Sequence, residues 1–162
     1  MNITTLFKFL GAPLNNPRWS WGAVRPDGTV VLRVWAQTVF NIDGAEYVQV
    51  LGRDWENIAE RIESGNLGFN ERRAHIQLLE RGAPCILIMC QCNDPSRLDG
   101  WTIKTFDSKE VFIGGDVIRR DGVKNRYVEG REGVFVRLAQ RVPKAQAYPV
   151  LRQICSNQQS SI

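Results

Sequence analysis

The sequence predicts an α+β domain: a strongly curved, mostly antiparallel sheet or a partly open β-barrel, with one helical hairpin. Three observations point there. Roughly seven or eight short stretches alternate apolar and polar residues at period two. Glycine-containing turns separate most of them, which favours a curved sheet over a flat one. Between residues 54 and 82 the apolar period changes to that of a helix.

Each element follows from local chemistry. Residues 1–17 are a lead-in, with one helical turn expected over Thr5–Leu10 before Gly11 and Pro13 stop it. Arg18–Gln37 reads as a hairpin around which the fold is organised. Pro26 presets φ and Gly28 accepts positive φ, so Pro26-Asp27-Gly28 is its turn. Val30, Leu32 and Val34 share one face of the second strand; Val31, Arg33 and Trp35 share the other. Three of the five tryptophans, Trp19, Trp21 and Trp35, lie on this ribbon, where alternation predicts one cross-strand surface. Asp43-Gly44 is a second turn, leading into a strand over Glu46–Leu51.

Asp54 is read as the cap of a helix with Trp55, Ile58, Ala59 and Ile62 on one stripe. The elbow Ser64–Asn70 follows, and a second helix runs from Asn70 to Gly82 through Arg73, Ile76, Leu78 and Leu79. Cys85–Cys92 is nearly continuous in apolar residues, the mark of a central strand covered on both faces. Trp101–Phe106 and Val111–Arg119 are further strands, with Gly114-Gly115 marking a bulge or a close-approach site. Asp121-Gly122 is expected to close a hairpin onto Lys124–Glu129, and Val134–Leu138 is the last strand. Residues 1–142 are read as the domain, and 143–162 as a tail holding one short helix.

Composition excludes several classes. No apolar run approaches the ~20 residues that span a bilayer, so no membrane partner is expected. The first residues lack a basic region and a small-residue cleavage site, which predicts a cytoplasmic protein. Cys85, Cys90 and Cys92 have no zinc-type spacing and read as buried free thiols. Gly114-Gly115 is not part of a dinucleotide fingerprint, so no cofactor is expected. His75, the one histidine, reads as a helix-surface residue rather than a catalytic one.

Charge carries the functional reading. The net charge is +4, with sixteen arginines against five lysines. Arginine pairs bidentately with phosphates and stacks on aromatic planes. Eight cations fall within residues 119–144, opposed there by Asp121, Glu129 and Glu132. Arg119, Arg120, Lys124, Arg126 and Arg131 are the candidate phosphate contacts, with Tyr127 and Trp101 as stacking partners nearby. Trp19, Trp21, Trp35 and Arg33 are the candidate base-stacking pocket, against the ordinary alternative that the indoles are core. A basic surface that discourages sheet-to-sheet pairing is the ordinary alternative for the late cations.

Two further classes compete. Asp43, Glu46 and Asp116 suggest a metal-dependent nuclease, although acids also favour turns for their own reasons. An exposed tryptophan cluster would instead suit a protein-interaction module.

In its general layout, through WSWGAV, VVLRVW and the basic strands 111–129, the chain resembles the PUA-like barrel domains of the EVE and SRA types. That resemblance implies a reader of modified bases linked to restriction and modification, holding a flipped base in an aromatic cage. With no histidine cluster for cleavage, it implies a DNA-binding domain without catalysis of its own.

Overall fold

The computed structural model describes residues 1–52, 67–96, 101–130 and 132–160. The expected helix from Asp54 and the candidate contact Arg131 lie outside the described residues. Three helices are described: α1 (Ile3–Phe9), α2 (Leu67–Glu80) and α3 (Ala147–Ser160). The strands are β1 (Gly22–Val24), β2 (Val30–Trp35), β3 (Val39–Ile42), β4 (Ala45–Leu51) and β5 (Cys85–Cys92). They continue with β6 (Ile103–Phe106), β7 (Glu110–Arg120), β8 (Val123–Lys124), β9 (Glu129–Gly130) and β10 (Gly133–Pro143).

The main sheet runs β1-β2-β5-β7-β10-β4-β3, with β6 also paired to β5. Its pairs are antiparallel except β2 with β5, which are parallel from Val30↔Cys85 to Trp35↔Cys90. Strands β2 and β3 stand five places apart in that order, about 24 Å in a flat sheet. Yet the 3₁₀ turn Ala36–Thr38 joins them, and three such residues span only ~6 Å. The sheet must therefore curl until its two sides nearly meet.

Arg72 of α2 lies in the seam that results. Its Nη1 donates to the Val50 carbonyl of β4 at 3.0 Å. Its Nη2 donates to the Arg33 carbonyl of β2 at 2.8 Å and to the Trp21 carbonyl at 3.0 Å. The Thr38 hydroxyl closes the same gap, donating to the carbonyls of Trp35 and Gln49. No β2–β4 ladder forms, so the curved-sheet expectation holds and the barrel does not. Carbonyls that a ladder would have paired are satisfied by side chains instead.

Strand alternation divides the core. On one face Val31, Ile86, Ile88, Cys90, Val111, Ile113 and Val142 pack beneath α1 and α3. On the other, Val30, Leu32, Val34, Cys85, Leu87, Val134 and Val136 pack beneath Phe69, Ile76 and Leu79 of α2. Both faces of β5 are thus covered, as its unbroken apolar run predicts. Cys85, Cys90 and Cys92 are buried free thiols, and burial pushes Cys85 and Cys90 up to about 12. The residues after Pro143 include a 14-residue helix, α3, that adds buried Ala147 and Leu151 to the first face. The Tyr148 hydroxyl of α3 donates to the Leu10 carbonyl just past α1.

Two local expectations are corrected. Asp121-Gly122 does not fold β7 back onto 124–129. Instead β7 pairs with β10, in register Arg120↔Gly133, and β8 and β9 form a separate two-stranded ribbon between them. Side chains hold this excursion: Asp121 Oδ1 accepts from the amides of Gly122 and Glu132. His75 is buried rather than on the helix surface, because Gly68, Phe69, Arg72, His75, Ile76 and Leu79 together form the sheet-facing side of α2. Gly22 makes room for it: a Cβ there would lie 3.3 Å from His75 Nδ1. The bulge expected at Gly114-Gly115 is present, since the β7–β10 register shifts between Val136 and Leu138.

Candidate nucleic-acid interface

The β8–β9 ribbon is a short excursion whose sequence, VKNRYVEG, is polar except for its two valines. Asn125 is its anchor. Its Nδ2 donates to the carbonyls of Gln37 and Val39, both at 2.8 Å, and its Oδ1 accepts from the amides of Tyr127 and Val128. Val123 and Val128 pack against the small cluster of Phe40, Ile42, Tyr47 and Phe135. With the valines turned inward, Lys124, Arg126 and Tyr127 face solvent. The Arg126 guanidinium lies over the Tyr127 ring, 5.4 Å from its centroid, and the ring is 44% exposed. Lys124 and Arg126 make no ion pair among the described residues.

Four other late cations differ. Arg119 pairs with Glu80 at 2.7 Å, and Arg120 reaches Asp43 at 3.7 Å. Arg137 pairs with Asp116 at 2.7 Å; Arg141 pairs with Asp107 at 2.9 Å and Glu110 at 3.5 Å. Their charge is balanced locally, although exposed pairs of this kind are worth ~0–1 kcal/mol and exchange readily.

Two of the three acids suggested for a nuclease, Asp116 and Asp43, are engaged in the same way. Asp116 accepts from the Tyr47 hydroxyl at 2.8 Å and from Arg137 Nε at 2.7 Å. The Tyr47 bond, with Arg137 beside it, holds the Asp116 carboxyl below its ordinary range and raises Tyr47. Asp43 faces Arg120. Among the described residues, no group of three or more His, Cys, Asp or Glu is arranged to hold a metal ion.

The tryptophans do not form the expected single surface. Trp35 packs with the α1/α3 face, and Trp21 with the α2 face. Trp21 precedes β1, and its amide donates to Glu71 Oε1 on α2 rather than to a ladder, so strand alternation does not govern it. Ser20 Oγ donates to Glu71 Oε2 beside it. Trp21 also lies under the Arg72 guanidinium, 5.8 Å from ring to cation. Trp19 is half-buried at the bend before it. Trp35 instead meets Trp101 edge to face, with centroids 6.0 Å apart. Arg33, on the Trp35 side of β2, is half-buried, and its guanidinium makes no hydrogen bond or ion pair among the described residues. Burial lowers its pKa.

The functional reading of the sequence missed Asn125, Trp101's pairing with Trp35, and Arg72. For Arg72 a signal existed: Phe69, Arg72, Ile76 and Leu79 follow a helical 3-4-3 spacing, which places the arginine within the apolar stripe. Among the described residues no helix is long and apolar enough to cross a membrane. Compared with family models, curated proteins and solved structures, the chain matches none.

Proposed function

We propose that this chain is a nucleic-acid-binding domain, acting on DNA without catalysis of its own, and that the β8–β9 ribbon is its leading contact. One observation supports this most: Lys124, Arg126 and Tyr127 are exposed together on an anchored ribbon, with no acid paired to either cation. An arginine stacked on an exposed tyrosine offers a flat, cationic surface. Such a surface takes a phosphate at its edge and a base on its face. Asn125 fixes the ribbon before any ligand arrives, so less ordering opposes binding. Arg119 and Arg120 lie at the base of the same excursion and add phosphate contacts by exchanging their acid partners. Arg131 belongs to the same basic segment of sequence.

Fluorescence anisotropy with duplex and single-stranded DNA at two salt concentrations tests this. Binding should weaken as salt rises, because each neutralised phosphate releases counterions. Lys124→Ala with Arg126→Ala should flatten the salt dependence by close to two contacts. Absence of binding to either DNA form at low salt would end the proposal.

A further inference from the structure

We propose that the carboxyl ends of β2 and β5 form a second ligand site. It takes a phosphomonoester carried beside a planar base, with Arg33 on the phosphate and the Trp35–Trp101 pair against the base.

The first support is a cation with no hydrogen-bonded or ion-paired partner among the described residues. Arg33 carries up to five N–H donors into a half-buried position and satisfies none of them with a described protein acceptor. Partial burial removes some of its hydration, and an incoming anion would replace what is lost. The neighbouring Arg72 adds positive potential rather than relieving it, and its own donors go to carbonyls, not to an acid. Glu71 is near enough to act on Arg33 electrostatically, but its oxygens accept from Ser20, Trp21 and Asn15.

The second support is placement. Arg33 and Trp35 lie two residues apart on one strand face, and Trp101 stands against Trp35. Both indoles are half-buried, leaving aromatic surface within reach of solvent. Strand β1 ends its pairing at Gly22↔Leu32 and the Arg33 amide still donates to the Trp21 carbonyl, so among the described residues no ladder partner covers β2 from Val34 onward on that side. β2 and β5 are the parallel pair of the sheet. Guanidinium and indole pair suit a phosphate and a base face respectively.

The site uses none of the ribbon's contact residues, and neither reading requires the other. The phosphomonoester has two sources, a free mononucleotide or the 5′-phosphorylated end of a strand. Titrating the full chain with adenosine 5′-monophosphate, adenosine, and a short oligonucleotide with or without its 5′-phosphate separates them, with tryptophan fluorescence as the readout. Saturable quenching by a phosphorylated ligand is expected, with the unphosphorylated counterpart at least ~10-fold weaker, the size of one charge-assisted contact. Arg33→Gln should remove that preference. Trp101→Phe should weaken the base-bearing ligands while inorganic phosphate is unaffected. Lys124→Ala with Arg126→Ala should leave mononucleotide binding unchanged, even if it abolishes DNA binding. Equal affinity for adenosine and its monophosphate overturns the site. So does quenching that survives Arg33→Gln in full, or none by any phosphorylated ligand at millimolar concentration. If Arg33→Gln does not fold, the phosphate preference of the wild-type chain and the response of Trp101→Phe decide the matter.

Discussion

Arg72 and Arg126 are the same side chain put to opposite uses. Arg72 is 5% exposed, and three carbonyls from separate segments accept from it. Burial, with Arg33 beside it, lowers its pKa to about 10. Arg126 is exposed and rests on a ring. The first guanidinium substitutes for a missing strand ladder, and so belongs to the fold. The second is held ready at little conformational cost and is open to a partner. Charge alone does not separate the two roles; the number of protein acceptors each one meets does.

The sharpest way to break that comparison is Arg72→Met. It removes the donors and leaves the Arg33 and Val50 carbonyls without them at ~1–3 kcal/mol each, while the Trp21 carbonyl keeps the Arg33 amide. A loss of about 3 kcal/mol or more is expected in urea denaturation, with Arg72→Lys recovering part of it. A loss below about 1 kcal/mol would show that the seam does not depend on this residue.

Gly68→Ala attacks the same region from the helix. The new Cβ would lie 2.6 Å from the Trp21 ring and 2.8 Å from the Trp19 carbonyl. Overpacking of this kind costs ~1–3 kcal/mol, to be read as a lowered denaturation midpoint.

His75 supplies a pH test of the buried side. Burial, aided by Arg72, pulls its pKa down from 6.5 to about 4. The unfolded chain therefore takes up the proton first as pH falls. The full contribution is present above pH 6.5, declines below it, and is lost by about pH 4. The melting temperature of the wild-type chain should fall more steeply than that of His75→Gln between those limits; parallel curves would refute the assignment.

The smallest expected effect belongs to the ribbon. Lys124→Ala with Arg126→Ala should change stability by no more than about 0.5 kcal/mol, since neither side chain is paired with an acid. A large loss of stability would move Arg126 into the class of Arg72.

The fold was readable wherever local pattern decided it. Cys85–Cys92 announced a doubly covered strand through its unbroken apolar run. Asp43-Gly44 announced a tight turn, and both residues have positive φ, 53° and 85°. The seam was not readable in the same way. Whether β2 closes against β4 depends on Arg72 reaching carbonyls of residues 21, 33 and 50. No periodicity encodes such a meeting, and a charge in an apolar stripe is easily set aside as surface. The tryptophan surface failed for a related reason. Alternation assigns faces only inside a ladder, and Trp21 is held by Glu71, 50 residues away, before the ladder begins. On the functional side, the basic segment was visible as composition. Which of its cations have acid partners was not, since Glu80, Asp43 and Asp107 come from distant parts of the chain.

The seam also bears on how this chain behaves among copies of itself. Open sheet flanks invite other chains to add on, and short outer strands or covering groups discourage it. Here one flank ends in the three-residue β1, while the late ribbon hydrogen-bonds the Val39 carbonyl at the start of β3 on the other. The guanidinium in the gap occupies carbonyls that a foreign strand would otherwise recruit. Its loss would therefore register as clumping during expression or refolding as well as a lower melting point.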